Sequence, residues 1–173
     1  MARYGAVRCG AVRDDGPMPA RTPTAAVTRE DREDWQALVI LAHLVEAELE
    51  RQTQHDAGIS HSHFKVLALL AGAPDHTMGL TKLSQALRFH KSRLSHALAK
   101  LEAGGLLRRE DTPEKGRAYQ AVLTRAGLRL VNRALPLQDA FARDTVLAGL
   151  SREQIKQLRA IAEIISGNLE HGA

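Results

Sequence analysis

With 173 residues, 44% of them apolar and 25% charged, the chain is long enough for one domain with its own core and too apolar for a disordered protein. Aromatic residues make up only 3%, while Leu and Ala are abundant, which favours helices packed on helices over a β-sandwich. A single cysteine, Cys9, excludes an intramolecular disulfide, and no apolar run reaches the ~18–20 residues needed to span a bilayer.

The N-terminus has arginines but no apolar core of a signal peptide, so a cytoplasmic location is expected. Residues 1–28 contain Gly5, Gly10, Gly16, Pro17, Pro19 and Pro23 and have no periodic apolar face, which predicts a disordered basic tail. An ordered domain is then expected over residues 29–173. Its first helix should open near Thr28–Asp31, where Thr28 can cap and the acidic cluster suits a helix N-terminus. Trp35, Leu38, Ala42, Val45 and Leu49 give it one apolar stripe, and Gly58 ends it. Ser60 caps a second helix with Phe64, Leu67, Ala68, Leu70 and Ala71 inward, closed by Gly72, Ala73 and Pro74.

Thr81 opens a third helix, with Leu83 and Leu87 buried and Ala86 allowing close approach. Phe89 and His90 form a tight turn. A fourth helix runs from about Lys91 to Ala103, and Leu94, Leu98 and Leu101, with Ala97 beside them, must face the core. Lys91, Ser92, Arg93, Ser95, His96 and Lys100 are left on the open side. Gly104 and Gly105 end the helix. Leu106–Glu110 and Ala118–Leu123 read as short strands, joined by turn chemistry at Asp111, Thr112, Pro113 and Gly116. Thr124 caps a long helix reaching Ala148, with Leu128, Val131, Leu135, Phe141 and Val146 apolar, and Pro136 should kink or split it. Ser151 and Gln154 form a capping box for a last helix striped by Ile155, Leu158, Ala162, Ile165 and Leu169.

The fold expected is therefore mainly α with a small β-wing. A helix pair followed by a charged ribbon is the layout of a winged helix-turn-helix, which makes double-stranded DNA the leading partner. The net charge of +4 is modest, but its placement supports this. Residues 81–117 carry nine basic side chains (Lys82, Arg88, Lys91, Arg93, Lys100, Arg108, Arg109, Lys115, Arg117) against four acidic ones. Residues 30–58 carry two basic side chains and eight acidic ones. Such asymmetry predicts one surface that meets a polyanion and another turned away. A small monomer has little core to bury the terminal amphipathic helices, so they are expected to pack on those of a second copy. That assigns dimerisation to residues 29–57 and 125–170 and the winged helix-turn-helix to residues 60–124.

The chain resembles the MarR (multiple antibiotic resistance regulator) family of transcription factors. The resemblance covers roughly Trp35 to Leu169. It is carried by Ile59-Ser60 with Phe64-Lys65-Val66-Leu67, Leu80-Thr81-Lys82-Leu83-Ser84, Ser92-Arg93-Leu94-Ser95 with Leu101-Glu102, Gly105-Leu106-Leu107-Arg108-Arg109, Arg117, and Leu123-Thr124-Arg125-Ala126-Gly127. The resemblance implies a homodimer with intertwined terminal helices and a winged lobe on each side. It also implies a repressor released by a small-molecule effector, and a dimer should prefer an inverted-repeat operator. One departure is visible: the family usually carries an acidic residue two positions before the wing arginine, and here that position is Lys115.

In this arrangement the fourth helix lies in the major groove. Lys91 and Arg93 donate to guanine or phosphate, while Ser92, Ser95 and His96 bond bases or backbone. Lys82 suits a phosphate, Lys100 extends the basic face, and Lys115 with Arg117 reaches the minor groove from the wing. An effector pocket between the first, second and fifth helices would be lined by Trp35, Val39, His43, His61, Phe64, Leu128 and Asn132, residues that could equally be ordinary core. Two other readings stand beside this one: a winged-helix module that binds DNA without sensing, and a zinc-responsive regulator, since a zinc-sensing branch of the family exists. The histidine spacing supplies no complete metal site, and no cofactor is expected. Cys9, in the tail, reads as a bystander rather than a peroxide sensor. Catalysis has little support: there is no phosphate loop, nucleophile elbow or metalloprotease pair, and Ser92 with His96 lacks an orienting carboxylate.

Overall fold

A computed structural model describes residues 26–112 and 118–171. The tail expectation for residues 1–25, including Cys9, and the wing-tip residues Lys115 and Arg117 lie outside the described residues. The element order is α1 (Arg29–Ala57), α2 (His61–Gly72), a 3₁₀ turn (Pro74–His76), β1 (Thr77–Gly79), α3 (Leu80–Leu87) and α4 (Lys91–Ala103). It continues with β2 (Leu107–Thr112), β3 (Ala118–Leu123), α5 (Arg125–Phe141), a π turn (Ala142–Val146) and α6 (Arg152–His171). The described chain divides into two compact units, residues 46–140 and residues 26–45 with 141–171.

The core of the first unit is built around α2. Phe64, Val66, Leu67 and Leu70 are all completely buried, so this short helix is covered on nearly every side. It packs against α3, α4 and β3. Leu83 of α3, Leu94, Ala97, Leu98 and Leu101 of α4, and Leu107 and Ala121 of the sheet close over it. The expected stripe of α4 is thus the buried one. Ala86 of α3, by contrast, is exposed, so its small size is not used for close approach.

The sheet has three strands rather than two, in the order β1-β3-β2 and all antiparallel. β1 is the addition: Thr77, Met78 and Gly79 pair with Val122, Ala121 and Gln120. Three residues are too few for an alternating pattern to register in sequence. The chain reaches this edge because Asp75 and His76 both adopt positive φ, 51° and 54°. His76 Nδ1 meets the Ala71 carbonyl at 3.0 Å, and the Thr77 hydroxyl donates to the Asp75 carbonyl at 3.1 Å. β2 and β3 form the expected ribbon, with Leu107 opposite Leu123 and Asp111 opposite Tyr119.

α5 joins the wing through a tight corner. Thr124 caps it by accepting the Gly127 N–H at 3.1 Å and donates its own hydroxyl to the Gly105 carbonyl at 2.7 Å. The Thr124 N–H donates to the Leu106 carbonyl at 3.1 Å. Gly127 packs so closely that a Cβ there would lie 2.1 Å from the Leu106 oxygen and 2.7 Å from Leu123 Cδ1. The helix passes through Pro136 without being split there and stays α-helical to Phe141. Only then does it widen into the π turn, so it falls short of the expected end at Ala148. Leu130, Val131 and Ala134 are its buried apolar residues, while Leu128 and Leu135 are partly covered.

The second unit is helical and wet. At its start Thr28 and Asp31 cap each other, with the Asp31 N–H donating to Thr28 Oγ1 at 3.0 Å and Thr28 N–H to Asp31 Oδ2 at 2.9 Å. The Thr28 hydroxyl, which donates to Asp31 Oδ2 at 2.7 Å, and then the Thr28 N–H hold the Asp31 carboxyl below its ordinary pKa. The Ser151–Gln154 capping box opens α6 as expected, at 2.8 and 3.2 Å. Among the described residues of this unit none is buried, and Trp35, Ile40, Leu44, Ile161, Ile164 and Leu169 all expose more than half of their surface.

Candidate nucleic-acid interface

α4 is the element that organises the site. Its buried residues leave Lys91, Ser92, Arg93, Ser95, His96 and Lys100 exposed along the opposite side, as expected from the stripe. Lys82 is likewise exposed on α3. Neither helix begins with an acidic residue or with a side chain bonded to its first amides: Gly79 precedes α3 and His90 precedes α4. These N-termini therefore present amide donors and positive dipole ends suited to phosphate.

The turn between the helices is tightly fixed. Arg88 ends α3 in the left-handed conformation, φ 52° and ψ 38°. Phe89 is held at both main-chain groups by Ser84, donating its N–H to the Ser84 carbonyl at 3.1 Å and accepting the Ser84 hydroxyl at 2.7 Å. Its ring is buried in the same cluster as Leu94, five residues on, the spacing of a hydrophobic staple at a helix start. The Arg93 guanidinium stands over that ring, 4.2 Å from its centre.

At the other end of α4 the wing is pinned by Glu102. This carboxylate accepts the Arg109 N–H at 3.0 Å and its guanidinium at 2.8 Å, which holds the Glu102 pKa below the usual carboxylate range. Arg108 pairs with Glu110 on the same strand. Arg108 and Arg109 are therefore compensated within the protein. The acidic partners lie beside them on the page of the sequence, but which arginine each would choose is decided by the pairing of β2 with α4.

Lys100 borders a cleft of about 410 Å³ between the end of α1, the start of α2 and the end of α4, with Glu50, His63 and Leu101 also in its wall. Ser60 caps α2 and meets His63 Nδ1 at 2.7 Å. Burial lowers the His63 pKa, Lys100 and His96 lower it further, and Glu50 opposes them. Its wall combines residues fifty positions apart, which no local sequence pattern connects.

The residues expected to line an effector pocket are dispersed in character. Phe64 is completely buried core, Leu128 packs against it and Asn132 is exposed. His61 joins a buried polar network: Thr53 Oγ1 donates to the Leu49 carbonyl at 2.6 Å and accepts from Gln138 Nε2 at 2.8 Å, and His61 Nδ1 lies 3.2 Å away. Gln138 Nε2 also lies 3.4 Å from His61 Nδ1, so the amide, the hydroxyl and the imidazole meet at one point. Burial lowers the His61 pKa, and Lys65 adds to the effect. Trp35, Val39 and His43, in the second unit, are exposed. Among the described residues no group of three or more His, Cys, Asp or Glu side chains could hold a metal ion, and no helix is long and apolar enough to cross a membrane.

Comparison with known proteins agrees with this architecture. The profile of the MarR family matches residues 57–118, from the end of α1 to the start of β3. The structure superposes with a TM-score of 0.83 on Sco3205, a MarR family transcriptional regulator from Streptomyces coelicolor crystallised in complex with DNA. The two chains are 35% identical over 87% of this chain and 94% of that one. The chain belongs to the MarR family. A second MarR family regulator from S. coelicolor, AbsC, is 27% identical, with a TM-score of 0.79 over 84% of this chain and 98% of the other. The transcriptional regulator PapX of Escherichia coli is 29% identical over 87 residues. That alignment spans 50% of this MarR family chain and 53% of PapX, about half the length of the relative it matches.

Proposed function

We propose that the protein is a sequence-specific regulator of transcription that binds double-stranded DNA as a homodimer. The observation that carries this reading is the division of α4: four buried apolar residues fix one side, and Lys91, Ser92, Arg93, Ser95 and His96 project from the other. A rigid helix with that exposed chemistry suits the major groove, where lysine and arginine donate to guanine and the hydroxyls and imidazole bond bases or phosphates. Lys82 and the uncapped start of α3 suit the phosphate backbone. Lys115 and Arg117 are assigned to the minor groove at the wing tip. Sco3205, similar over nearly its whole length, was crystallised with DNA.

Dimerisation is proposed for residues 29–57 and 125–170, because the exposed apolar residues of α1 and α6 need a covering surface that the described residues of one chain do not supply. Repression relieved by a small molecule completes the reading, and the cleft bordered by Lys100 and His63 offers space for one. Action on chromosomal DNA places the protein in the cytoplasm. Selection of bound sequences from a random duplex pool tests the core of this. An inverted repeat with half-site centres ~10 base pairs apart is expected. Absence of any retained duplex at moderate salt would overturn the reading, and a screen of compounds for release of the selected duplex tests the sensing.

A further inference from the structure

We propose that Phe89 is a specificity-determining residue that acts by positioning Arg93 for base recognition, an inference that rests on the DNA-binding reading above. An arginine in the first turn of an exposed helix has four rotatable bonds, and unheld it must be ordered each time it meets a base. Here the guanidinium lies over an aromatic face at 4.2 Å. An Arg–aromatic stack both attracts the cation and restricts the plane of its donors. The ring itself cannot drift. Ser84 of α3 grips Phe89 through both its carbonyl and its hydroxyl, the left-handed Arg88 sets the direction of the chain, and the ring is buried among the core residues. The platform is thus part of the protein's rigid interior, while the arginine above it is exposed.

A stacked guanidinium keeps its N–H edges available, because stacking uses the face and hydrogen bonding uses the rim. Ordering it before binding removes a cost that a freely rotating side chain would incur, and the saving counts only where the geometry of the base matches. Phosphate, which is tolerant of direction, gains little. Phe89 should therefore influence selectivity far more than overall attraction to DNA.

The test compares full-length wild type, Phe89→Leu and Phe89→Tyr on the selected duplex and on the same duplex scrambled within the half-sites, at several salt concentrations. Phe89→Leu, which keeps apolar bulk but has no aromatic face, should lower the ratio of the two affinities by roughly 3- to 10-fold. Affinity for the scrambled duplex and its salt slope should stay as in wild type. Phe89→Tyr should restore the ratio. In an Arg93→Ala background, Phe89→Leu should change the ratio no further. Arg93→Lys, an exposed substitution that leaves the core intact, should reproduce the loss if Phe89→Leu does not fold. Wild-type selectivity in Phe89→Leu or in Arg93→Lys would overturn the inference, as would an equal loss from Phe89→Leu with and without Arg93. If wild type retains no duplex at all, the DNA-binding reading falls, and this inference with it.

Discussion

Replacing Gly127 by Ala adds one methyl group at the corner where the wing meets α5. The new Cβ would stand 2.1 Å from the Leu106 carbonyl oxygen and 2.7 Å from Leu123 Cδ1. Ordinary contacts there begin beyond 3.4 Å, so the backbone must yield by more than an ångström. It is poorly placed to do so. The Leu106 carbonyl accepts the Thr124 N–H, the preceding Gly105 carbonyl accepts the Thr124 hydroxyl, and Leu107 is locked opposite Leu123. Overpacking a well-filled site costs ~1–3 kcal/mol, and a clash with backbone belongs at the top of that range. Alanine returns up to ~1 kcal/mol of helix propensity. The net loss should be about 2 kcal/mol, a roughly 30-fold larger unfolding constant and a melting temperature about 4–8 °C lower for a chain of this size. Denaturant and thermal unfolding, at one fixed protein concentration because association would shift both, measure it. Gly72→Ala is the control: nothing lies within 4 Å of its added Cβ, and its stability should be unchanged or slightly higher. Equal stabilities for the two variants would refute the steric argument.

Lys82→Ala should weaken binding to selected and scrambled duplexes alike and reduce the slope of log affinity against log salt by about 0.9 per subunit. An unchanged slope would remove Lys82 from the phosphate contacts. For pH, the folded state lowers the pKa of His61 through burial. As pH falls below the ordinary histidine value near 6.5, the unfolded chain takes up a proton that the folded chain refuses, so stability should decline until the folded pKa is passed. His61→Gln should flatten that decline only in part, because His63 is shifted in the same direction. Unfolding titrations from pH 8 to pH 5 that show no decline in wild type would contradict the buried neutral imidazole.

Much of the exposed side of α4 was legible in the linear order of residues, because an α-helix imposes a period that apolar spacing reports directly. Leu94, Leu98 and Leu101 identified the buried side of α4, and the polar residues between them were thereby left outside. The caps at Ser60, Thr124 and Ser151 were readable for a similar reason: each satisfies amides two or three residues away, within reach of local chemistry. Pro136 does not split α5, because losing one amide donor on an exposed helical side does not force a break where the flanking turns are packed, as at Val131, Ala134 and Gln138.

What tertiary structure decided is every feature whose partner lies far along the chain. β1 exists only because β3 offers an edge to three residues with no pattern of their own. Thr53, His61 and Gln138 form one buried network across eighty-five positions, so the polar character of each residue alone said nothing of its burial. Arg109 is neutralised by Glu102 while Arg93 is laid on Phe89, and both are simply basic residues in the sequence. Short-range periodicity fixed which side of the helix is free, and three-dimensional packing fixed which charges on it are held, compensated or available.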